Sequence, residues 1–335
     1  MSYIFNILVI ILIGIVLILS KKYKFFLDNK IDKHKKYVSK KNSYFIGGLI
    51  IFIFLFYEAI LKNDFYFLLF YFSFFVIGFC SDLKLLNNPN KRLLIQFITL
   101  LPFIVLLDIQ ILETRLIPID ILLKYNVFNY FFVVFCLLVL INGSNFVDGI
   151  NSLLISYVLI IFILILINFT GFINNADSIK NLTYIVFILL VFNLFGILIL
   201  GDSGSYLLSL YLGLHLIDFS NSSILISPYF VVLLLWYPCF ELLFSIIRRQ
   251  INGLNSYNPD TQHLHQMIYK YVSSKNNLEQ NVNHFITSFI IIIYNLFSFI
   301  IAFKFYYHTD ILVYLIVNNV IVYVLSYNFL KAKIR

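Results

Sequence analysis

Charge is scarce in this chain: Asp, Glu, Lys and Arg make up 12% of its 335 residues, against 61% hydrophobic and 19% aromatic. That leaves too little polar surface to cover a water-soluble globule of this size, so lipid must be the solvent for most of it. Cysteine is rare too. The three present, Cys80, Cys136 and Cys239, lie in or beside apolar runs, without the paired spacing of a zinc site or a disulfide framework. The first apolar run, Ile4 to Leu19, lacks a preceding basic residue and a small-residue cleavage site, so it reads as a retained span and not as a removable signal peptide. The formal net charge of +8 does not form one basic face. Its Lys and Arg residues sit in short segments between apolar runs, which fits a membrane surface and excludes nucleic acid as the partner.

A bilayer core of roughly 30 Å needs about 20 apolar residues per helix. Runs that meet this need fall near 2–20, 44–61, 65–80, 93–108, 127–142, 152–170, 183–200, 204–219, 224–247, 285–304 and 310–330. They exceed strand length and lack alternation, so the expected fold is an all-α polytopic transmembrane helical bundle of 10 to 11 spans. The weakest run is 204–219, which is short and carries His215 and Asp218. A lysine-rich segment, Lys21 to Lys41, follows the first span, and the positive-inside rule places it in the cytoplasm with the N-terminus outside. Eleven spans then put the C-terminus in the cytoplasm and 19 of the 24 Lys and Arg residues inside. The chain reads as one membrane domain over 1–335, with cytoplasmic loops 21–43, 81–92, 143–151, 200–204 and 248–284 forming its active face.

The polar clusters gather on that face. Asp82 follows one span, Asn145 and Asp148 another and Asp202 a third, while Asp260, His263 and His265 lie in the long loop after 224–247. A single acid at a helix end is as readily a solvated cap as a functional group. The outer acids Asp64, Asp108, Glu113 and Asp177, however, stand without a glycine within four residues. Gly201-Asp202-Ser203-Gly204-Ser205 reads as a tight turn whose backbone amides can approach a phosphate and whose carboxylate can hold a metal. Asn142 to Asn151 is similar in kind. Magnesium takes one or two protein carboxylates and fills its other positions with water and phosphate, a use that suits Asp202, Asp82 and Asp148. His263 and His265 share a face only on an extended or turning segment, and phosphate contact or proton transfer suits them better than metal binding by the pair alone. Arg248 and Arg249 fit either membrane anchoring or a diphosphate clamp.

In order along the chain stand Gly47-Gly48, Gly78 to Asp82 with Lys91-Arg92 and Gln96, Asn142 to Leu153, Asn193 with Gly201 to Ser205, and Arg249 with Pro259 to His265. This set resembles the polyprenyl-phosphate N-acetylhexosamine-1-phosphate transferase family, glycosyltransferase family 4, in its surface-polysaccharide initiating branch. The resemblance implies a Mg2+-dependent transferase, with Mn2+ as a substitute, in the bacterial inner membrane. It would move a sugar 1-phosphate, N-acetylglucosamine 1-phosphate by default, from a UDP-sugar to undecaprenyl phosphate and release UMP, and dimers are common among its relatives. By the same resemblance Asp202 binds the metal, and Asp82, Asp148, His263 and His265 are catalytic. Asn145, Lys91, Asn193, Arg249 and Asp260 bind substrate. Many relatives carry two adjacent Asp where this chain has Ser81-Asp82, Asn151 stands where a second Asp is frequent, and Gln266 where some have a third His. If Asp82 alone suffices, Ser81→Ala is expected to do little.

The rival class is a transporter or flippase of lipid-linked sugars, which would place ionisable groups near the midplane, where Glu58, His215 and Glu241 are the candidates. A non-catalytic scaffold is a third. The topology has its own test. A cysteine introduced at Asn175 should react with an impermeant thiol reagent from outside the cell, and one at Asn276 should not; reversed labelling would overturn the orientation.

Overall fold

A computed structural model describes residues 11, 13–20, 22, 44–169, 171, 176–253 and 261–334. Most of the first span and of the loop 21–43, together with Asp260 and Asn175, lies outside the described residues. Among the described residues the chain is all helical, with no named strand. After a helical stretch over 13–20 come α1 (Gly47–Leu61), α2 (Phe65–Asp82), α3 (Pro89–Leu106), α4 (Ile117–Leu123), α5 (Asn126–Val147) and α6 (Leu153–Asn168). Then follow α7 (Ala176–Leu194), α8 (Gly201–Asn221), α9 (Pro228–Ile251), α10 (Leu264–Lys275), α11 (Gln280–Lys304) and α12 (Thr309–Ile334). Seven of these, α2, α3, α5, α7, α9, α11 and α12, are long and apolar enough to cross a membrane. The apolar helices α1 and α6 are shorter, at 15 and 16 residues.

Every apolar run from 44–61 onward coincides with a helix, but the boundaries move for physical reasons. α7 ends at Leu194 although apolar residues continue, because Gly196 turns the chain in the left-handed region at φ 65°. Leu198 then forms an isolated parallel bridge with Tyr44. Ile199 N–H donates to the Tyr44 carbonyl at 3.0 Å, and Gly48 N–H donates to the Leu200 carbonyl at 3.0 Å. These bonds set the start of α1 beside the start of α8. The supposed loop 143–151 is helical through Val147, and 201–204 is the first turn of α8, not a loop. Two helices, α4 and α10, lie between the apolar runs.

α8 shows why hydropathy undervalued the run 204–219. It is buried along nearly its whole length and packs on α1, α2 and α5, so its outer surface meets protein, not lipid. Lipid exposure demands apolar side chains; close helix packing demands small ones. Ser209 satisfies itself along the helix, its Oγ donating to the Ser205 carbonyl at 2.6 Å.

Glycine permits two further approaches. A Cβ at Gly78 would stand 2.3 Å from Ser203 Cα, and one at Gly143 would stand 2.2 Å from the Pro238 carbonyl oxygen, so α2 meets α8 and α5 meets α9 backbone to backbone. Pro238, inside α9, has no N–H for the Leu234 carbonyl. The Tyr157 hydroxyl of α6 donates to that carbonyl at 2.8 Å, which satisfies a group that lipid could not. Overpacking of this kind costs about 1–3 kcal/mol. Gly143→Ala should therefore lower the thermal stability of the purified protein in detergent by that order, and an unchanged melting curve would show that α5 and α9 can separate freely.

Candidate active site

The N-terminus of α8 is held by another helix. Leu200, its capping residue, makes no side-chain cap bond. Instead Asp82, the last residue of α2, accepts the Asp202 N–H on Oδ1 at 2.7 Å, and on Oδ2 the Ser203 N–H at 3.0 Å and the Ser203 hydroxyl at 2.7 Å. Gly201 makes this approach feasible: its φ is +76°, and a Cβ there would lie 2.8 Å from Asp82 Oδ2. The amides that the sequence offered to a phosphate are thus engaged by Asp82.

The sequence places Asp202 on a tight turn, and the structure corrects this to a helix start. It is buried, at 6% exposure, in the first helical turn. Its Oδ2 accepts the Ser81 hydroxyl at 2.6 Å and Arg92 Nη1 at 3.0 Å, while the same Arg92 nitrogen donates to Ser81 Oγ at 2.8 Å. Ser81 therefore links the carboxylate to the guanidinium. Lys91, the basic residue expected to bind substrate, is exposed; its neighbour Arg92 is the one that reaches the carboxylate.

The last turn of α5 joins this cluster to a second. Asn145 Oδ1 accepts the Ser205 hydroxyl at 3.2 Å, and the next residue, Phe146, faces the His263 ring with centroids 4.7 Å apart and lies 5.8 Å from the Arg249 guanidinium carbon. Asp148, half-buried, caps the C-terminal end of α5. Deeper on α3, Gln96 accepts from Asn142 Nδ2 at 2.8 Å.

The second cluster centres on the histidines. His263 precedes α10 in an extended conformation, φ −72° and ψ 147°, so its imidazole and that of His265 stack with planes 9° apart and centroids 5.4 Å apart. The extended alternative of the sequence reading is the one that forms. Both rings turn toward Glu241 of α9, which the sequence left as an intramembrane exception: Oε1 lies 2.9 Å from His263 Nδ1, and Oε2 lies 3.7 Å from His265 Nδ1. Burial pushes the His265 imidazole below its ordinary pKa, with the Glu241 carboxylate pulling the other way. Arg248 donates to the Gln262 carbonyl at 2.6 Å and to the Tyr327 hydroxyl at 3.1 Å, so it pins the chain just before the histidines. The equally buried Arg249 turns toward Phe146.

Asn193 has a scaffolding place. It is buried, its side-chain Oδ1 accepts the Ser152 N–H and its Nδ2 donates to the Leu198 carbonyl at 2.8 Å. Asp260 lies outside the described residues. Arg92 and Glu241 are participants that the sequence reading left unassigned. A signal existed for Glu241, since an acid within an apolar span is rarely idle.

Among the described residues no group of three or more His, Cys, Asp or Glu side chains could hold a metal ion. The donor set does not fit an all-protein cage. A cation at Asp202 would have to take most of its ligands from phosphate and water, as magnesium does.

Residues 64–220 match the family model for glycosyl transferase family 4. The chain is also 27% identical over 229 residues, 68% of each sequence, to an undecaprenyl-phosphate alpha-N-acetylglucosaminyl 1-phosphate transferase of Thermotoga maritima.

The geometry reverses the expectation for Ser81. Loss of a hydrogen bond to a buried charged group costs about 1.5–3 kcal/mol, so Ser81→Ala should lower turnover by roughly tenfold or more. Asp82→Asn keeps one acceptor but sets an NH2 group against the remaining donors of α8, and should lower both turnover and melting temperature. If Ser81→Ala matches the unsubstituted protein in turnover and stability, the link through Ser81 carries no weight.

Proposed function

We propose that the chain is a member of glycosyl transferase family 4 and that it transfers N-acetylglucosamine 1-phosphate, or a related N-acetylhexosamine 1-phosphate, from a UDP-sugar to undecaprenyl phosphate. One observation carries the reading beyond family membership. The acids, the guanidinium groups and the imidazoles that phosphoryl transfer requires meet at one end of an apolar bundle, where a soluble nucleotide and a membrane-bound acceptor can reach each other. The enzyme would work as a multi-pass protein of the bacterial inner membrane, with 10 to 11 spans and this end in the cytoplasm, as the distribution of Lys and Arg supports.

In the proposed reaction an oxygen of the lipid phosphate attacks the β-phosphorus of the UDP-sugar. The bond from that phosphorus to the bridging oxygen breaks, and UMP leaves with the bridging oxygen. The protein's share of such a reaction is positioning and charge neutralisation. Asp202 would hold Mg2+, or Mn2+ in its place, and the bound ion would supply neutralisation of diphosphate charge. Asp82 fixes the helix turn that carries Asp202, and so places that carboxylate rigidly. Arg92 balances the Asp202 charge and, being partly exposed, would meet an incoming phosphate. Asn145 and Asp148 line the nucleotide side. Arg249, held at Phe146, would take the diphosphate together with His263 and His265.

A transporter would need its buried acid facing a translocation path. Glu241 faces the two histidines instead, which favours the enzyme.

Purified protein incubated with undecaprenyl phosphate, Mg2+ and a panel of UDP-sugars should release UMP in step with a polyprenyl diphosphate sugar identified by mass. Chelation should stop the reaction. Asp202→Asn should lower turnover by roughly a hundredfold or more, given that a metal ion's charge stabilisation is worth several kcal/mol. Its elution profile should remain that of the unsubstituted protein. No UMP from any donor would overturn the proposal, and near-normal turnover of Asp202→Asn at saturating Mg2+ would overturn the role of that residue.

A further inference from the structure

Glu241 sits in mid-helix on α9, fully buried, and it meets the two histidines across 22 and 24 positions of sequence. A carboxylate in such a place is costly unless its partners require it. We infer that Glu241 is a positioning residue: it accepts the Nδ1 proton of His263 and thereby fixes the tautomer and plane of that ring, so that His263 acts on substrate through Nε2. The inference rests on the transfer reading given above, and it adds to that reading a residue and a protonation state.

The geometry around the ring supports it from several sides. An ionised carboxylate only accepts, so the nitrogen 2.9 Å from Glu241 Oε1 must carry the hydrogen in the neutral imidazole. Ser245 Oγ lies 3.1 Å from the same nitrogen. The Leu264 N–H donates to Glu241 Oε1 at 3.4 Å, which ties the carboxylate to the backbone beside His263. Phe146 and the stacked His265 ring limit rotation of the imidazole plane. Other polar groups around the carboxylate and the two rings are the Tyr237 hydroxyl, 3.5 Å from His265 Nδ1, the Tyr323 hydroxyl, and Arg248, whose Nη2 donates to Ser245 Oγ at 3.3 Å. Each nitrogen of an imidazole sets the role of the other, and a carboxylate on one nitrogen is the usual device for doing so.

Two measurements on the full-length protein in lipid nanodiscs test this. In the first, UMP release is compared for Glu241→Gln, Glu241→Asp, His263→Ala and the double variant Glu241→Gln with His263→Ala. Glu241→Gln should lower kcat by about tenfold to a hundredfold, the usual effect of removing such an outer partner, and should leave KM for the UDP-sugar within a few-fold. Glu241→Asp should recover part of the loss. The double variant should be no slower than His263→Ala, because Glu241 acts through that ring. In the second, 15N spectra of histidine-labelled protein, assigned with His263→Ala, should show His263 protonated on Nδ1, and Glu241→Gln should disturb that signal. Unchanged kcat in Glu241→Gln, additive losses in the double variant, or a His263 signal protonated on Nε2 alone would each overturn the inference. If the unsubstituted protein shows no transfer at all, it is the functional reading that fails, and the spectra still decide whether Glu241 sets the tautomer.

Discussion

The Asp82 carboxylate on the N-terminus of α8 is the contact on which the rest of the site depends. A helix begins with unbonded N–H groups and a partial positive charge, and an acid placed there satisfies both. Here the acid comes from another helix, so one set of bonds caps α8, fastens α2 to it and orients the turn that carries Asp202. A helix N-terminus is also a ready anion site. Here Asp82 already engages the amides of Asp202 and Ser203.

That arrangement needs backbones closer than ordinary side chains allow. Gly78 and Gly201 give Asp82 and Ser203 their approach, and the pairing of 44–48 with 197–200 brings α1 alongside. In lipid, tight packing and satisfied polar groups hold helices together, because lipid tails offer no less favourable surroundings to apolar side chains than another helix does. The same logic explains why the most polar of the long helices is the most enclosed, and why Tyr157 reaches the carbonyl that Pro238 leaves without a donor.

The last turn of α5 converts two local clusters into one site. Asn145 touches the first turn of α8, and Phe146, one residue on, touches His263 and Arg249. A shift of α5 would move the acids relative to the imidazoles, and the backbone contact of Gly143 with Pro238 resists such a shift. The histidine side is held separately, by Arg248 on the Gln262 carbonyl and by Glu241 on the rings themselves.

Taken alone, the sequence determined the all-helical class and the position of each apolar run from residue 44 onward, because the length of a run and the absence of alternation are local properties. It also brought forward Asp82, Asn145, Asp202, His263 and His265, since acids, amides and imidazoles beside glycines stand out in a chain with so little charge. Only the tertiary structure decided what those residues touch. That Asp82 caps a helix 120 positions away, that Ser81 links Asp202 to Arg92 and not to Lys91, that Asn193 holds backbone, and that Glu241 faces two imidazoles are facts of helix rotation and depth. Rotation follows from how small residues on different helices fit together, and that fit leaves no periodic trace in any one segment.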